Sequence, residues 1–113
     1  MDESPGAERR LARATALAHG MLDLAPARRE LEQKEFLDIE RATALTWGAR
    51  CAVYFQMAGE TREPHRRQRR LQEAENCRQE AIEHAAMTED LEFLVALRKE
   101  MDEYRKPALS AAA

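Results

Sequence analysis

Apolar residues recur every three or four positions along most of this chain, and no run alternates apolar with polar residues for long. The three-and-four spacing is typical of helices with one apolar side, whereas strict alternation is typical of strands. Proline, which is excluded from helix interiors, stands at Pro5, Pro26, Pro64 and Pro107. The pattern therefore predicts an all-α protein whose helices begin or end near these prolines.

Four helices are predicted between the proline boundaries, over residues 7–24, 27–58, 64–86 and 89–105. Thr88 followed by two acidic residues is typical of a helix start, although the last two segments could also form one continuous helix. We expect residues 1–106 to form a single helical domain. We expect residues 107–113 to be a disordered tail, because they contain Pro107 and little apolar bulk.

The second predicted helix carries two apolar stripes. One is aromatic and contains Phe36, Trp47 and Tyr54. The other consists mostly of small residues, namely Ile39, Ala42, Leu45, Ala49 and Ala52. Because small side chains let a neighbouring helix come close, we expect this helix to lie between two neighbours. One would be the downstream segment of the same chain, and the other could come from a second chain.

The predicted core is small, since aromatic residues make up only 5% of the chain. Small chains bury a smaller share of their surface, and association is a common remedy. We therefore expect an elongated antiparallel helical hairpin or four-helix bundle that is completed by dimerisation. The residues expected in the core or at the interface are Phe36, Trp47, Tyr54, Leu94, Val95 and Met101.

The composition indicates a cytoplasmic protein without a membrane partner. The net charge is −3, which does not favour nucleic acid or anionic membranes. The chain has no run of apolar residues long enough for a membrane span, and its first residues lack the basic-then-apolar pattern of a signal peptide. Two cysteines, Cys51 and Cys77, are too few for a disulfide framework and are expected to be reduced.

Glu40, Glu80 and His84 form a candidate metal site. If the second and third helices form a hairpin that turns near Thr61, residues whose numbers sum to about 123 lie opposite each other, so His84 faces Glu40. Glu80 and His84 are four residues apart and share a helix face. Carboxylates and imidazoles are ligands of metal sites in helical bundles, so iron or manganese is the candidate metal. Otherwise we expect no cofactor.

The segment EHAAMT at positions 83–88 is similar to the second-helix motif of the encapsulated ferritin-like proteins. Trp47 resembles a tryptophan of their first helix. This resemblance implies a metal-binding helical bundle. The family's other ligand positions fall on Ala81 and Arg41 in this chain, so we do not assign the chain to the family.

A cluster of arginines stands at the start of the third predicted helix. It contains Arg62, Arg66, Arg67, Arg69 and Arg70. The helix dipole disfavours cations at this position, so the cluster is a candidate contact for phosphate, for an acidic partner, or for the acidic residues 30–38 of another subunit. The acidic net charge and the lack of aromatic residues between the arginines stand against nucleic acid.

Two further patterns resemble enzyme motifs. Arg78 and His84 resemble the ribonuclease motif of HEPN domains, which implies that an arginine holds phosphate while a histidine transfers a proton. Two acidic pairs resemble the Mg²⁺ ligands of all-α nucleotide pyrophosphohydrolases, namely Glu32 with Glu35 and Glu80 with Glu83. In a chain with 21 acidic residues, such pairs also arise by chance.

We expect a small non-enzymatic helical bundle that associates with itself and acts through protein–protein contacts, as an adaptor, chaperone or scaffold subunit. The first alternative is a ferritin-like metal-binding bundle. The second alternative is a domain that binds RNA or cleaves it in the manner of HEPN domains.

Overall fold

A computed structural model gives the fold and describes residues 6, 9–11 and 25–112. Three long helices follow one another: α1 (Ala25–Glu60), α2 (Pro64–Met87) and α3 (Leu91–Ala112). Residues 6 and 9–11 are helical too, and the rest of the helix predicted over residues 7–24 lies outside the described residues. No strand occurs in the described ranges, which confirms the all-α class for them. The chain divides into two units between residues 33 and 34, and the packing below is that of residues 34–112.

Two helices begin at the predicted prolines. Pro26 lies in the first turn of α1, and Pro64 is the first residue of α2. The Glu63 carboxylate accepts hydrogen bonds from the backbone amides of His65 and Arg66, at 3.0 and 2.7 Å. These amides have no partner within the helix, so the carboxylate caps it. The same two bonds hold the pKa of the Glu63 carboxyl below its ordinary value.

A tight turn separates α2 from α3. Thr88 ends α2, and its hydroxyl donates to the carbonyl of Ala85 at 2.6 Å. Glu89 then adopts a φ of 58°, in the left-handed region that often follows a helix end. Asp90 starts α3 by accepting a hydrogen bond from the amide of Phe93 at 3.0 Å. The residue that caps the start of α3 is therefore Asp90, and not Thr88 as the sequence predicted.

The third helix continues through Pro107 to Ala112, where the sequence predicted a disordered tail. A proline in a helix interior removes a hydrogen bond, so packing has to offset that loss. Ala108 is 2% exposed and lies beside Gly59, where an added Cβ would stand 3.9 Å from the Cα of Ala108. Two small residues thus pack closely at a place where the sequence indicated too little apolar bulk for order.

The first two helices form an antiparallel hairpin. Glu40 contacts His84, and Arg70 stacks over the ring of Tyr54. Both pairs have residue numbers that sum to 124, close to the predicted value of about 123. The hairpin register inferred from the position of the turn is therefore confirmed.

The third helix packs against both others. Its ion pairs to α2 are Arg78–Asp102 at 3.1 Å and Glu75–Arg105 at 2.6 Å, whose residue numbers both sum to 180. These two helices are therefore antiparallel.

The third helix also packs against α1. Arg41 of α1 binds Asp90 at 2.7 Å, and Gly48 faces Leu97; in both pairs the residue numbers differ by 49. The third helix consequently runs parallel to the first, and the order is up, down, up.

The core is narrow because half of its members are alanines. It consists of Ala44, Cys51, Phe55, Ala58, Leu71, Ala74, Cys77, Ala81, Ala85, Leu97, Met101 and Ala108. Phe55 and Met101 are its largest fully buried side chains. Small core residues allow short distances between helix axes, and they leave little room for larger substitutes.

Candidate functional site

An apolar stripe on α1 faces away from the core. We call it the outer stripe; it contains Ile39, Ala42, Leu45, Ala49, Ala52 and Val53. Ile39, Leu45 and Val53 are 62%, 50% and 54% exposed. The opposite side of the same helix carries its core residues Ala44, Gly48, Cys51, Phe55 and Ala58. The helices α2 and α3 therefore leave the small-residue stripe predicted from the sequence largely uncovered.

The outer stripe borders a groove of about 430 Å³ between α1 and α3. Residues that line it include Leu45, Ala49 and Val53 from α1, and Leu97, Met101 and Tyr104 from α3. Gly48 lies at the contact between the two helices, where an added Cβ would stand 2.8 Å from Cδ1 of Leu97. The glycine thus lets the helices approach, and the groove offers an apolar recess beside the stripe.

The aromatic stripe of α1 lies along the contact with α2. The guanidinium of Arg50 lies 5.1 Å from the ring centroid of Trp47, and that of Arg70 lies 5.9 Å from the centroid of Tyr54. Both rings are half-buried at the edge of the core. Stacked arginines are attracted to ring faces and cover them. Two of the three rings of the aromatic stripe, Trp47 and Tyr54, are therefore already engaged within the chain.

The six predicted core or interface residues divide by burial. Met101 is 1% exposed, and Phe36 and Val95 are 42% and 56% exposed. The half-buried ones are Trp47, Tyr54 and Leu94. These six residues are mostly large side chains, whereas the outer stripe was predicted only as a side of α1 that a second chain could contact. The signal for that stripe was its spacing of three and four residues from Ala42 to Gln56.

The proposed metal ligands meet at the contact between α1 and α2. Nδ1 of His84 lies 2.5 Å from Oε2 of Glu40, and its Nε2 lies 3.7 Å from Oε2 of Glu80. The two carboxylates thus face different ring nitrogens, so a metal bound to one nitrogen would meet only one of them. In the part of the chain that the structure describes, no three acidic, cysteine or histidine side chains form a metal-binding group. The observed arrangement is an interhelical hydrogen bond, and metal binding stays a prediction.

Two members of the arginine cluster are engaged within the chain. Arg67 donates hydrogen bonds to the backbone carbonyls of Thr61 and Arg62, at 2.9 and 3.1 Å, and so holds the loop between α1 and α2. Arg70 stacks on Tyr54 and also forms an ion pair with a neighbouring glutamate at 3.2 Å.

The other three members of the cluster, Arg62, Arg66 and Arg69, are exposed. Their side chains form no hydrogen bond or ion pair with any other residue within the described ranges. These three guanidinium groups are therefore available to a ligand or a partner.

Arg78 and His84 face different helices. Arg78 forms its ion pair with Asp102 on α3, whereas His84 bonds to Glu40 on α1. A ribonuclease motif requires both side chains to address one phosphate. The described geometry does not bring them together, because six residues along a helix turn the two side chains toward different neighbouring helices.

Both cysteines are buried and unbridged. Burial, followed by the nearby Cys77, raises the pKa of the Cys51 thiol to about 12, and burial also raises the pKa of Cys77. The thiolate is the reactive form of cysteine, so neither side chain is activated as a nucleophile. They act as small packing residues of the core.

We expect Cys51 to make the protein less stable in alkali. Its folded pKa of about 12 exceeds the ordinary value of 9.0, so its contribution is fully present below about pH 9 and is lost as the pH rises toward 12. Between about pH 8 and about pH 11, the melting temperature of wild type should therefore fall more steeply than that of Cys51→Ala, so that the difference between the two shrinks. Parallel declines would contradict this assignment.

Together, the fold and surface define a chain that is all-helical in class over its described residues, with an exposed apolar stripe on the 36-residue helix α1. No protein family matches the chain, and no curated protein or solved structure is similar enough to count as a match. Among the described residues, no helix combines the length and apolar character that crossing a membrane requires. The function is therefore inferred from the exposed surface.

Proposed function

We propose that this protein is a non-enzymatic helical bundle that acts through protein–protein contacts, as an adaptor, chaperone or scaffold subunit that associates with itself. The outer stripe of α1 carries this proposal. Its three large residues, Ile39, Leu45 and Val53, are each at least half exposed on an ordered helix. Each Å² of apolar surface removed from water contributes about 25 cal/mol, so covering the stripe is favourable.

The spacing of the stripe supports a helix as the binding element. Ala42, Leu45, Ala49, Ala52 and Gln56 follow one another at alternating intervals of three and four residues. This interval is that of the seam between two paired helices. The alanines let a second helix approach to the short end of the usual interaxial range, about 8 Å. The larger residues at the edges would pack beside it.

Helices α1, α2 and α3 already surround the core of residues 34–112. A dimer would therefore have a different role from the one expected from the sequence, which was to complete the bundle. The second copy would add a helix to the outside of α1, and the groove beside Leu45 and Tyr104 would receive its side chains. In this proposal, dimerisation covers an exposed face instead of filling an incomplete core.

Replacing Ala49 with glutamate is expected to raise the Kd of the dimer at least about 100-fold, because it places a charge in an apolar contact. Ala49 is exposed, so the variant should keep the helical content of wild type. Sedimentation equilibrium measures the Kd, and circular dichroism measures the helicity.

The matched control is Ala96→Glu, the same change at an exposed position of α3 that does not line the groove. It should dimerise like wild type. A wild-type protein that stays monomeric at every concentration would overturn the proposal, and so would equal Kd values for Ala49→Glu and wild type.

The metal-binding alternative has one observation in its favour, since His84 contacts both Glu40 and Glu80, although through different ring nitrogens. Metal analysis of protein purified without chelator tests it. Stoichiometric iron or manganese that is lost in His84→Ala would replace the adaptor proposal.

The RNA alternative is supported by the exposed side chains of Arg62, Arg66 and Arg69. The ring of Tyr54, however, already carries Arg70, a member of the same cluster, over one face. A salt-dependent mobility shift of RNA that disappears when these arginines are replaced would favour this alternative.

A further inference from the structure

The exposed charges of residues 34–112 segregate between the two ends of the helical unit. Arg62, Arg66 and Arg69 lie where α1 passes into α2. The opposite end carries exposed carboxylates from two helices and the turn, namely Glu35, Asp38, Glu83 and Glu89. Because α1 and α2 are antiparallel, these four residues belong to the same end although they are distant in sequence.

Nearby charges of opposite sign do not cancel this segregation. At the basic end, the five arginines of the cluster outnumber the two exposed acids close to the turn, Glu60 and Glu63. The backbone hydrogen bonds of Glu63, and after them Arg66 and Arg69, hold the pKa of its carboxyl below its ordinary value. At the acidic end, Arg41 is paired with Asp90, and Lys34 is the remaining base. One end thus stays basic and the other acidic.

We propose that the partner on the outer stripe is a second copy of this chain, packed antiparallel about a two-fold axis near Ala49. The basic end of each copy then meets the acidic end of the other. This inference rests on the self-association proposed above and adds the orientation of the partner and the residues that it contributes. It also explains why arginines occupy a helix start that the helix dipole makes unfavourable for them.

Ala49 is the midpoint of the seam from Ala42 to Gln56. With the axis there, positions whose numbers sum to 98 lie opposite each other, so Ala42 meets Gln56 of the partner subunit. Arg62 then lies opposite position 36, between Glu35 of the partner subunit and Asp38 of the partner subunit. The small side chain of Ala49 at the axis permits close approach.

The parallel alternative uses the same stripe but opposes like charges. It would place the three exposed arginines of one copy beside those of the other, and the carboxylates beside carboxylates. Juxtaposed like charges disfavour an interface, whereas complementary ones set its register. A two-fold interface must be complementary to itself, and on this surface only the antiparallel arrangement meets that condition for charge.

Charge reversal tests the orientation. One variant carries Arg62→Glu with Arg66→Glu, and the other carries Glu35→Lys with Asp38→Lys; all four positions are exposed. In the antiparallel dimer, each variant alone opposes like charges at both ends, so its Kd should rise at least about 10-fold. An equimolar mixture restores both contacts and should dimerise like wild type. Added salt should weaken the wild-type dimer, because it screens these exposed charges.

The parallel dimer gives the reverse result. Each variant alone would dimerise like wild type, since like charges oppose each other before and after the change, and the mixture would bind more tightly than wild type. That outcome would overturn the orientation while leaving the proposed self-association in place. A wild-type protein that is monomeric in sedimentation would overturn both.

Cysteine cross-linking provides a second readout that does not depend on charge. Ala42→Cys mixed with Gln56→Cys should form a disulfide-linked dimer, and Ala42→Cys alone should not. Both positions are exposed, and the native thiols can stay because they are buried. Cross-linking of Ala42→Cys with itself would contradict the antiparallel arrangement.

Discussion

Replacing Phe55 with alanine is expected to lower the free energy of unfolding by about 3–5 kcal/mol. Phe55 is 0% exposed and is among the largest buried side chains of a core that consists half of alanines. Neighbouring alanines have no side-chain freedom with which to fill the cavity, so the loss should fall in the upper part of the range. Urea denaturation followed by circular dichroism measures it, with the slope m unchanged.

The matched control for this change is Phe36→Ala. It is the same substitution on the same helix, but Phe36 is 42% exposed. The expected cost is about 1 kcal/mol, since much less apolar surface returns to water. Equal losses at the two positions would show that Phe55 does not hold the central place in the core described above.

Replacing Ala81 with leucine is expected to cost about 1–3 kcal/mol through overpacking. Ala81 is 0% exposed on the core side of α2, between α1 and α3. Three extra carbon atoms there would push apart helices that approach closely because their contact residues are small. Thermal and urea unfolding should both report the loss.

The control is Ala86→Leu on the exposed side of the same helix, where a change within about 0.5 kcal/mol is expected. A stabilised Ala81→Leu variant would mean that the helices are farther apart than described. The two variants test the same core in opposite ways, because Phe55→Ala leaves a cavity whereas Ala81→Leu adds volume.

The hairpin of α1 and α2 could be predicted closely from the sequence. Pro26 and Pro64 mark helix starts through local chemistry, because proline fits the first turn of a helix without the loss of a hydrogen bond. The position of the turn then determines which residues of two antiparallel helices lie opposite each other. The predicted contact of Glu40 with His84 follows from that register alone.

The end of α3 could not be predicted in the same way. Local signals, a proline and a series of small residues, indicated disorder beyond residue 106. The segment is helical because Ala108 packs beside Gly59, a residue distant in sequence. The same limitation applied to Arg78, whose partner Asp102 lies on a helix whose orientation the sequence did not define.

The sequence by itself determined the all-helical class, two of the helix starts and the hairpin register, because these depend on neighbours along the chain and on the length of one turn. Only the tertiary structure decided which side of α1 is covered. The third helix returns parallel to α1 at an offset of 49 residues and packs on Gly48, which leaves the outer stripe exposed. Which side of α1 is covered depends on how surfaces that are distant in sequence fit together, and the periodicity of a single helix does not predict it.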